Sequence, residues 1–272
     1  MNLGKDITII TSNKLGPGVL SFSDAARRLD YTTSVFVVGK DDAVSALQNA
    51  QHILYRISPK TYPLYVALLD STEGVKKDGL QAALNAFDKI KTHKLLTKAS
   101  VAAPNTWIVD SSYIYNGEPF VIKIPRGNQG KGVELIKNDS DLRSFFDTYA
   151  ANEQFVAQEF ITEAVSRDKR LIVAGDKVIA AMERRSTTED FRANLHLGGE
   201  GAAYQPTAKE IELAIRATDA FGLPYGGVDI IDSAHGPLVL EVNPSPGFGI
   251  SEITGVDVAY EILKHILGVK ND

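Results

Sequence analysis

The segment 227–247 constrains the fold of this chain more than any other. It reads GVDIIDSAHGPLVLEVNPSPG, in which two apolar, β-branched runs flank a Gly-Pro turn signal. This pattern predicts a β-hairpin. With the turn centred on His235, Asp229 lies directly opposite Glu241, and such a pair shares one face of the sheet. Asn243 falls on the same face, because side chains alternate along a strand.

Two carboxylates and an amide oxygen in one cluster allow two interpretations. Like charges directly opposite each other on a sheet repel, so a positive group must lie between them. Mg²⁺ would supply that charge, since it takes oxygen ligands from one or two carboxylates and from nucleotide phosphates. Structural ion pairs of Asp229 and Glu241 with arginine or lysine would supply it equally well. The hairpin alone leaves both interpretations open.

Composition narrows the class of protein. The 272 residues are 44% hydrophobic and 23% charged, which is typical of a globular chain with one large or two to three smaller packed units. A net charge of -5 argues against general binding to nucleic acid or to an anionic membrane. The absence of cysteine excludes a disulfide framework, a thiolate zinc site and a cysteine nucleophile. With no signal-peptide pattern and no long apolar run, we expect a cytoplasmic protein.

The chain divides into three predicted units. Residues 1–88 alternate short apolar strands with helices, which predicts a small α/β domain with a parallel sheet. The predicted strands there are 7–11, 35–38 and 52–57, and the predicted helices are 22–29, 41–50 and 80–87. Residues 89–155 and 156–272 form the second and third units. Their predicted strands are 107–109, 119–125, 133–136, 155–161, 169–173 and 177–182, and their predicted helices are 92–99, 139–149, 207–221 and 256–267.

The loop 126–132, RGNQGKG, is the second informative segment. Its three glycines allow backbone N–H groups to turn toward an anion, and Arg126 and Lys131 add charge, which favours a phosphate cradle. A flexible hairpin tip with solvated cations is the alternative. Lys123 precedes the loop within an apolar strand, where an ammonium needs an anionic neighbour or a sheet surface.

Other candidate chemistry is weaker. Four arginines between residues 170 and 192 suit bidentate binding of carboxylate or phosphate, but they equally suit a solvated strand edge. The five histidines show no metal-ligand spacing, and no Gly-x-Ser-x-Gly elbow is present. His196 is the one histidine to watch, because it lies in an Arg/Asn-rich loop.

Taken together, these motifs resemble those of ATP-grasp ligases, and most closely the RimK-type α-L-glutamate ligases, over residues 89–267. The resemblance rests on VIKIPRGNQGKGV, on QEFI with Asp168 nine residues after Glu159, on ERR with FRANLH, and on GVD with LEVNPSPG. It implies an ATP-grasp fold: a small N-terminal α/β domain, a central lid subdomain, and a C-terminal antiparallel-sheet domain, with ATP between the last two.

The resemblance also implies roles for individual residues. Phosphates of ATP would bind the two lysines and the glycine loop, namely Lys89, Lys123, Gly127, Gly130, Lys131 and Gly132. The backbone of Glu159, Phe160 and Ile161 would bind adenine, and Asp168 the ribose. Arg184 would contact nucleotide phosphate, and Arg184, Arg192 and Asn194 the acyl phosphate. Asp229, Glu241 and Asn243 would bind two Mg²⁺, for which Mn²⁺ is an alternative.

The implied reaction is ATP-dependent formation of an amide or peptide bond through an acyl phosphate, with L-glutamate as the expected amine. The acceptor would be a carboxylate of a protein C-terminus, a peptide or a cofactor, and a homo-oligomer is expected by analogy. Leu197 stands where the family has a basic residue, and the segment after Pro246 is shorter, so the amino-acid pocket departs from the family pattern. The alternatives are a ligase using another amino acid, an ATP-binding regulatory module without turnover, and a kinase that releases a phosphorylated product.

Overall fold

The computed structural model describes residues 5–71, 78–127, 130–151, 153–188 and 199–269. Within these ranges the chain forms three sheets with helices packed on them. The strands are β1 (Asp6–Thr11), β2 (Thr32–Val37), β3 (His52–Arg56), β4 (Thr106–Val109), β5 (Phe120–Lys123), β6 (Val133–Ile136), β7 (Phe155–Glu159), β8 (Arg167–Ala174), β9 (Lys177–Arg185), β10 (Glu200–Ala203), β11 (Tyr225–Ser233) and β12 (Gly236–Asn243). The helices are α1 (Pro17–Arg28), α2 (Ala43–Asn49), α3 (Tyr62–Ser71), α4 (Asp78–Phe87), α5 (Lys89–Lys98), α6 (Asp139–Thr148), α7 (Ala208–Asp219), α8 (Ile250–Thr254) and α9 (Val258–Ile266).

The N-terminal sheet is parallel, with the strand order β2-β1-β3. This confirms the α/β alternation expected from the sequence. Ile7, Ile9 and Ile10 of the central strand are fully buried, as a strand covered on both faces requires. Helix α1 begins at Pro17, five residues before the predicted start, because proline fits the first turn of a helix, where its missing N–H is not needed.

The middle sheet is antiparallel, with the order β4-β7-β5-β6, and α6 covers one face. Phe120, Phe145 and Phe155 fill the core between them. Strand β7 belongs to this sheet, so the expected division at residue 155 cuts the strand. The sequence of a strand does not reveal which sheet the strand joins, which is why the expected division falls within β7. We propose that the middle unit ends after Glu159.

The C-terminal sheet has the order β10-β9-β8-β11-β12 and contains the hairpin that dominates the sequence. Asp229 pairs with Glu241 and Gly227 with Asn243, which confirms the predicted pairing. The predicted turn centre is wrong: the turn is the two-residue Ala234–His235 loop, and a β-bulge at Leu240 shifts the register by one. The observed loop places the pairs next to the turn one position away from the predicted register. The extra residue of the bulge, Leu240, removes this offset, so beyond it Asp229 lies opposite Glu241 as predicted.

No helix in the described part of the chain is long and apolar enough to span a membrane.

Candidate active site

A cleft of about 400 Å³ lies between the middle sheet and the C-terminal sheet. Thirteen of the residues singled out in the sequence line it: Lys89, Lys123, Gly127, Gly130, Lys131, Glu159, Phe160, Ile161, Asp168, Arg184, Asp229, Glu241 and Asn243. Of the remaining candidates, Gly132 is outside the lining, and Arg192 and Asn194 lie outside the described residues, as do His196 and Leu197. Segments far apart in the sequence thus meet in one cavity.

Lys123 is the last residue of β5 and is only 8% exposed. Its Nζ donates a 2.6 Å hydrogen bond to Oε1 of Gln158, whose Nε2 donates to Thr106 Oγ1 on β4. Burial and the neighbouring Lys89 ammonium lower the pKa of Lys123 to about 8, and the charges of Glu241 and Asp229 offset part of this effect. A buried ammonium with a neutral partner suits an anionic ligand.

Lys89 reaches the same region from the start of α5. Its Nζ donates to the carbonyl oxygen of Gly127 at 2.9 Å, and its backbone N–H donates to Pro125 O. The preceding residue, Asp88, caps the helix through the amides of Ile90 and Lys91. The start of α5 is therefore fixed to the glycine loop.

The glycine loop connects β5 and β6. Gly130 and Gly132 have positive φ angles, which glycine adopts without a steric penalty. A side chain at Gly132 would meet Ile124 at 2.6 Å, so this glycine serves a close packing contact rather than the cleft surface. Arg126 points away from the cleft: its Nε donates to Asp88, and its guanidinium lies over the Tyr62 ring.

The expected adenine-binding segment, 159–161, follows β7 at one end of the cleft. The N–H of Glu159 donates to Asn105 O at 2.8 Å, and the Glu159 carboxylate accepts from the Asn105 N–H. The segment is therefore anchored to the residue before β4. Phe160 and Ile161 are half-buried and line the cleft beside Ile231 and Leu240, which supply apolar surface.

Arginines surround Asp229. Both carboxylate oxygens of Asp229 accept from Arg170, at 2.7 Å each, and Arg184 lies 2.8 Å from Oδ2. Burial raises the pKa of Asp229, but the two guanidiniums outweigh it and hold the pKa at about 2. Arg184 also forms a bidentate pair with Asp168 at 2.6 Å, while burial raises the pKa of Asp168 above its ordinary value. For Asp229, the structure therefore shows the ion-pair interpretation.

Glu241 differs from its strand partner. Among the described residues, none forms an ion pair or hydrogen bond with its carboxylate, although it lines the cleft beside Asp229. Asn243 Oδ1 accepts from the Ser245 N–H at 2.9 Å. The described residues hold no cluster of three His, Cys, Asp or Glu side chains. The donors available here are two carboxylates and one amide oxygen, a set that a hard oxygen-seeking cation accepts.

Gln158, Arg170 and Arg56 are three polar residues among the lining residues that had no assigned role in the sequence. Gln158 was detectable as a polar residue within the apolar run of β7. Arg170 was one of four arginines of open role, and only its position opposite Asp229 in the β8–β11 ladder reveals its partner. Arg56 ends β3 at the carboxyl edge of a parallel sheet, where ligand sites in open α/β sheets lie.

Comparison with solved structures identifies the fold. The fold matches an ATP-grasp RimK domain protein from Sphaerobacter thermophilus DSM 20745, with a TM-score of 0.73, 20% identity, and coverage of 97% of this chain and 100% of that one. It also matches the ATP-grasp ligase PsnB complexed with minimal precursor, Mg and ADP, with a TM-score of 0.71, 19% identity and 98% coverage of both chains. The architecture is thus that of the ATP-grasp ligases.

The family follows from the sequence comparison. The model of the RimK-like ATP-grasp domain matches residues 86–266, and the chain therefore belongs to that family. A probable alpha-L-glutamate ligase of Xanthomonas euvesicatoria pv. vesicatoria (strain 85-10) is 41% identical over 194 residues, which cover 68% of this chain and 66% of that protein. The match thus spans slightly less than two thirds of the relative's length.

Proposed function

We propose that this protein is an ATP-dependent carboxylate–amine ligase that forms an amide bond through an acyl phosphate. The observation that carries the proposal is the cleft itself, whose lining brings together Lys89 and Lys123, Gly127 and Gly130 of the glycine loop, and Asp229, Glu241 and Asn243. The family membership of residues 86–266 supports the same activity.

The residues present fit ATP. The lining contains seven cationic and four acidic side chains, an excess of positive charge that suits a polyphosphate. Lys89 and Lys123 would hold phosphates, the 127–132 loop would lie over them, and the 159–161 backbone would hold adenine. Asp168 would bind the ribose once Arg184 turns toward phosphate, which requires their ion pair to open.

The oxygens of Asp229, Glu241 and Asn243 fit Mg²⁺ as its protein ligands. When bound, Mg²⁺ neutralises phosphate charge, as it does in phosphoryl-transfer enzymes generally. The two arginines on Asp229 keep its carboxylate ionised at neutral pH, because they hold its pKa far below 7. Both oxygens accept from these arginines, so binding of such an ion requires at least one guanidinium to release Asp229. A second ion, and Mn²⁺ in place of Mg²⁺, belong to this proposal.

The chemistry requires no covalent enzyme nucleophile. The acceptor carboxylate attacks the γ-phosphorus, ADP leaves, and an acyl phosphate forms; an amine then displaces phosphate and forms the amide bond. Arg184 and the lysines would hold the charge spread over the transferring group, and Arg192 and Asn194 are proposed to act with them. The rate acceleration would come from positioning the substrates and from stabilising the charge of the transition state.

L-glutamate is the proposed amine, because the Xanthomonas relative is named a probable alpha-L-glutamate ligase. A peptide, a protein C-terminus or a cofactor is the proposed acceptor. PsnB, which shares the fold, is described with a minimal precursor, and so a peptide acceptor is compatible with this architecture.

The test is ADP release by the purified protein with Mg²⁺ and ATP, with L-glutamate and each other amino acid added singly. Candidate acceptors from a cell extract are followed in parallel by mass spectrometry. Amine-dependent ADP release with a mass gain of one amino-acid residue on an acceptor is the expected result. ATP binding without turnover in the presence of every amino acid and of the extract would contradict the ligase and favour a regulatory module.

A further inference from the structure

Arg56 is a cleft residue that the proposed reaction leaves unused. It is the last residue of β3, and its side chain lines the same cavity as the lysines and Asn243. Its Nη1 and Nη2 both donate to the carbonyl oxygen of Pro246 at 3.1 Å. The N-terminal domain therefore contributes one guanidinium to a cleft that is otherwise built by the two other sheets.

The backbone around Arg56 is fixed on both sides. Ser245 Oγ donates to Tyr55 O and accepts from the Ile57 N–H, and the Tyr65 hydroxyl donates to the Arg56 carbonyl. Ser245 is two residues after Asn243 and donates its own N–H to that side chain. A short chain of hydrogen bonds thus joins Arg56 to the carboxylate–amide cluster.

The guanidinium of Arg56 is packed against two aromatic rings and a glycine. It lies 5.1 Å from the centre of the Phe248 ring and 5.9 Å from that of Phe22. A methyl group added at Gly18 would meet its Nη2 at 2.4 Å, so a larger residue there would displace the guanidinium from this position. An arginine held in this way is preorganised, because little side-chain entropy remains to be lost on binding.

The charge of Arg56 lacks a counter-ion. No carboxylate of the described residues lies within the 4 Å ion-pair distance of its guanidinium, whereas Arg170 has one such carboxylate and Arg184 has two. Burial lowers the pKa of Arg56, and the adjacent Tyr225 hydroxyl offsets only part of this. Two of its five donor hydrogens go to Pro246 O.

We propose that Arg56 is a substrate-binding residue that receives a carboxylate of the acidic substrate, beside the reacting end of the cleft. The proposal rests on the ligase function proposed above. A half-buried guanidinium with no carboxylate partner among the described residues matches a carboxylate in charge and in its planar, bidentate geometry. The bound group is a carboxylate that does not react, either on the amino acid that supplies the amine or on the acceptor.

The experiment compares each acid with its amide. Binding is measured by calorimetry to protein saturated with Mg²⁺ and AMP-PNP, a non-hydrolysable ATP analogue. L-glutamate is compared with L-glutamine and L-isoglutamine for the amine source, and the dipeptide Glu-Glu with its C-terminal amide for the acceptor source. We expect the wild-type protein to prefer one acid over its amide by about tenfold or more, and Arg56→Gln to lower that ratio to about one.

Arg216→Gln is the matched control. Arg216 also donates from its guanidinium to backbone carbonyls, those of Ala99 and Ser100, but it is not part of the cleft lining. Its removal should leave the acid-to-amide ratio unchanged. A purely structural role of Arg56 would weaken acid and amide binding equally, so the ratio separates recognition from stability.

Arg56→Lys covers the case in which Arg56→Gln does not fold, and should retain an intermediate ratio because it keeps the charge but not the planar donors. A ratio that stays at the wild-type value in these variants overturns the proposal, as does a wild-type protein without acid preference. ADP release with L-glutamate is measured on the same samples. Acid preference without turnover would overturn the proposed ligase function and retain the carboxylate site at Arg56. Turnover without acid preference would retain the ligase function and overturn the carboxylate site.

Discussion

Lys123 shows how one residue links the stability of the site to its function. An ammonium that is 8% exposed and, among the described residues, hydrogen-bonded to a neutral amide oxygen alone is costly to bury, and its lowered pKa expresses that cost. Such residues occur where a ligand supplies the missing charge. The sequence singled out Lys123 by the same argument, since a lysine in an apolar strand needs an anionic neighbour or a sheet surface, and the family resemblance implied its role in binding phosphate.

Nucleotide binding should therefore weaken as the pH rises through the pKa of Lys123. Below about pH 8 the side chain carries a proton and attracts phosphate, and above it the charge is lost. Between pH 7.5 and 9 the dissociation constant of ADP should rise about tenfold. Calorimetric titrations at closely spaced pH values measure this. Lys123→Met should bind ADP weakly and without that dependence, whereas exposed Lys177→Met should follow the wild-type curve.

Glu241 is the acidic residue of the cluster whose carboxylate has no partner among the described residues. Glu241→Ala should abolish turnover, by about a hundredfold or more, because the proposed Mg²⁺ loses a ligand. The folded state should persist, since no hydrogen bond or ion pair is removed. Steady-state ADP release and thermal unfolding are the two measurements.

Glu134→Ala is the control for this substitution. Glu134 is also a strand glutamate, on β6, but it does not line the cleft. Its loss should change neither ADP release nor unfolding by much. Undiminished ADP release by Glu241→Ala would remove Glu241 from the proposed metal site.

At the scale of elements, the start of α5 positions the phosphate-binding groups. Asp88 is 5% exposed, caps the helix and accepts from Arg126, and the next residue is Lys89. Asp88→Ala should lower the free energy of unfolding by about 1 kcal/mol and weaken ADP binding several-fold. Asp88→Asn keeps a capping oxygen and should remain near wild type in both. Urea unfolding and ADP titration measure these effects, and equal losses in the two variants would assign the effect to the ion pair instead.

The β-hairpin shows how far sequence patterning predicts an element. The two β-branched, apolar runs around a Gly-Pro turn signal identified both strands, and an assumed turn centre at His235 gave the pairing of Asp229 with Glu241. It could not identify the bulge at Leu240, because an extra strand residue leaves no compositional signal of its own. Helix α3 was also not predicted. Its sequence, YPLYVALLDS, is apolar on most sides, so it lacks the amphipathic periodicity that marks a surface helix.

The partners of the site arginines were equally beyond sequence reasoning. Asp168 and Arg184 lie opposite each other on β8 and β9, and Arg170 lies opposite Asp229 on β8 and β11. These pairs form because β8 lies between β9 and β11 in the sheet. The hydrophobic pattern of the sequence does not give that strand order. The site was therefore predictable as a set of residues, but not as a set of contacts.

At the scale of the whole molecule, the cleft depends on how the N-terminal domain is attached. Ser245, just beyond β12, bridges the end of β3 by donating to Tyr55 O at 3.2 Å and accepting from the Ile57 N–H at 3.1 Å. Tyr65, Leu80 and Val239 belong to one continuous hydrophobic cluster, so apolar packing crosses the same boundary. The hydroxyl of Ser245 thus makes two of the many contacts across this interface, next to Arg56.

Ser245→Ala should loosen this attachment without unfolding either domain. Losing two hydrogen bonds at one hydroxyl should cost about 1 kcal/mol, which corresponds to about fivefold faster hydrogen exchange at the Ile57 amide. Ser233→Ala is the matched control, since Ser233 Oγ also donates to a carbonyl, that of Gly236, and accepts from an amide, that of His235. It should accelerate exchange only within its own turn. If the interface also positions Arg56, Ser245→Ala should weaken binding of the acidic substrate and leave ADP binding at the wild-type value. Equal weakening of both ligands would show instead that the attachment shapes the entire cleft.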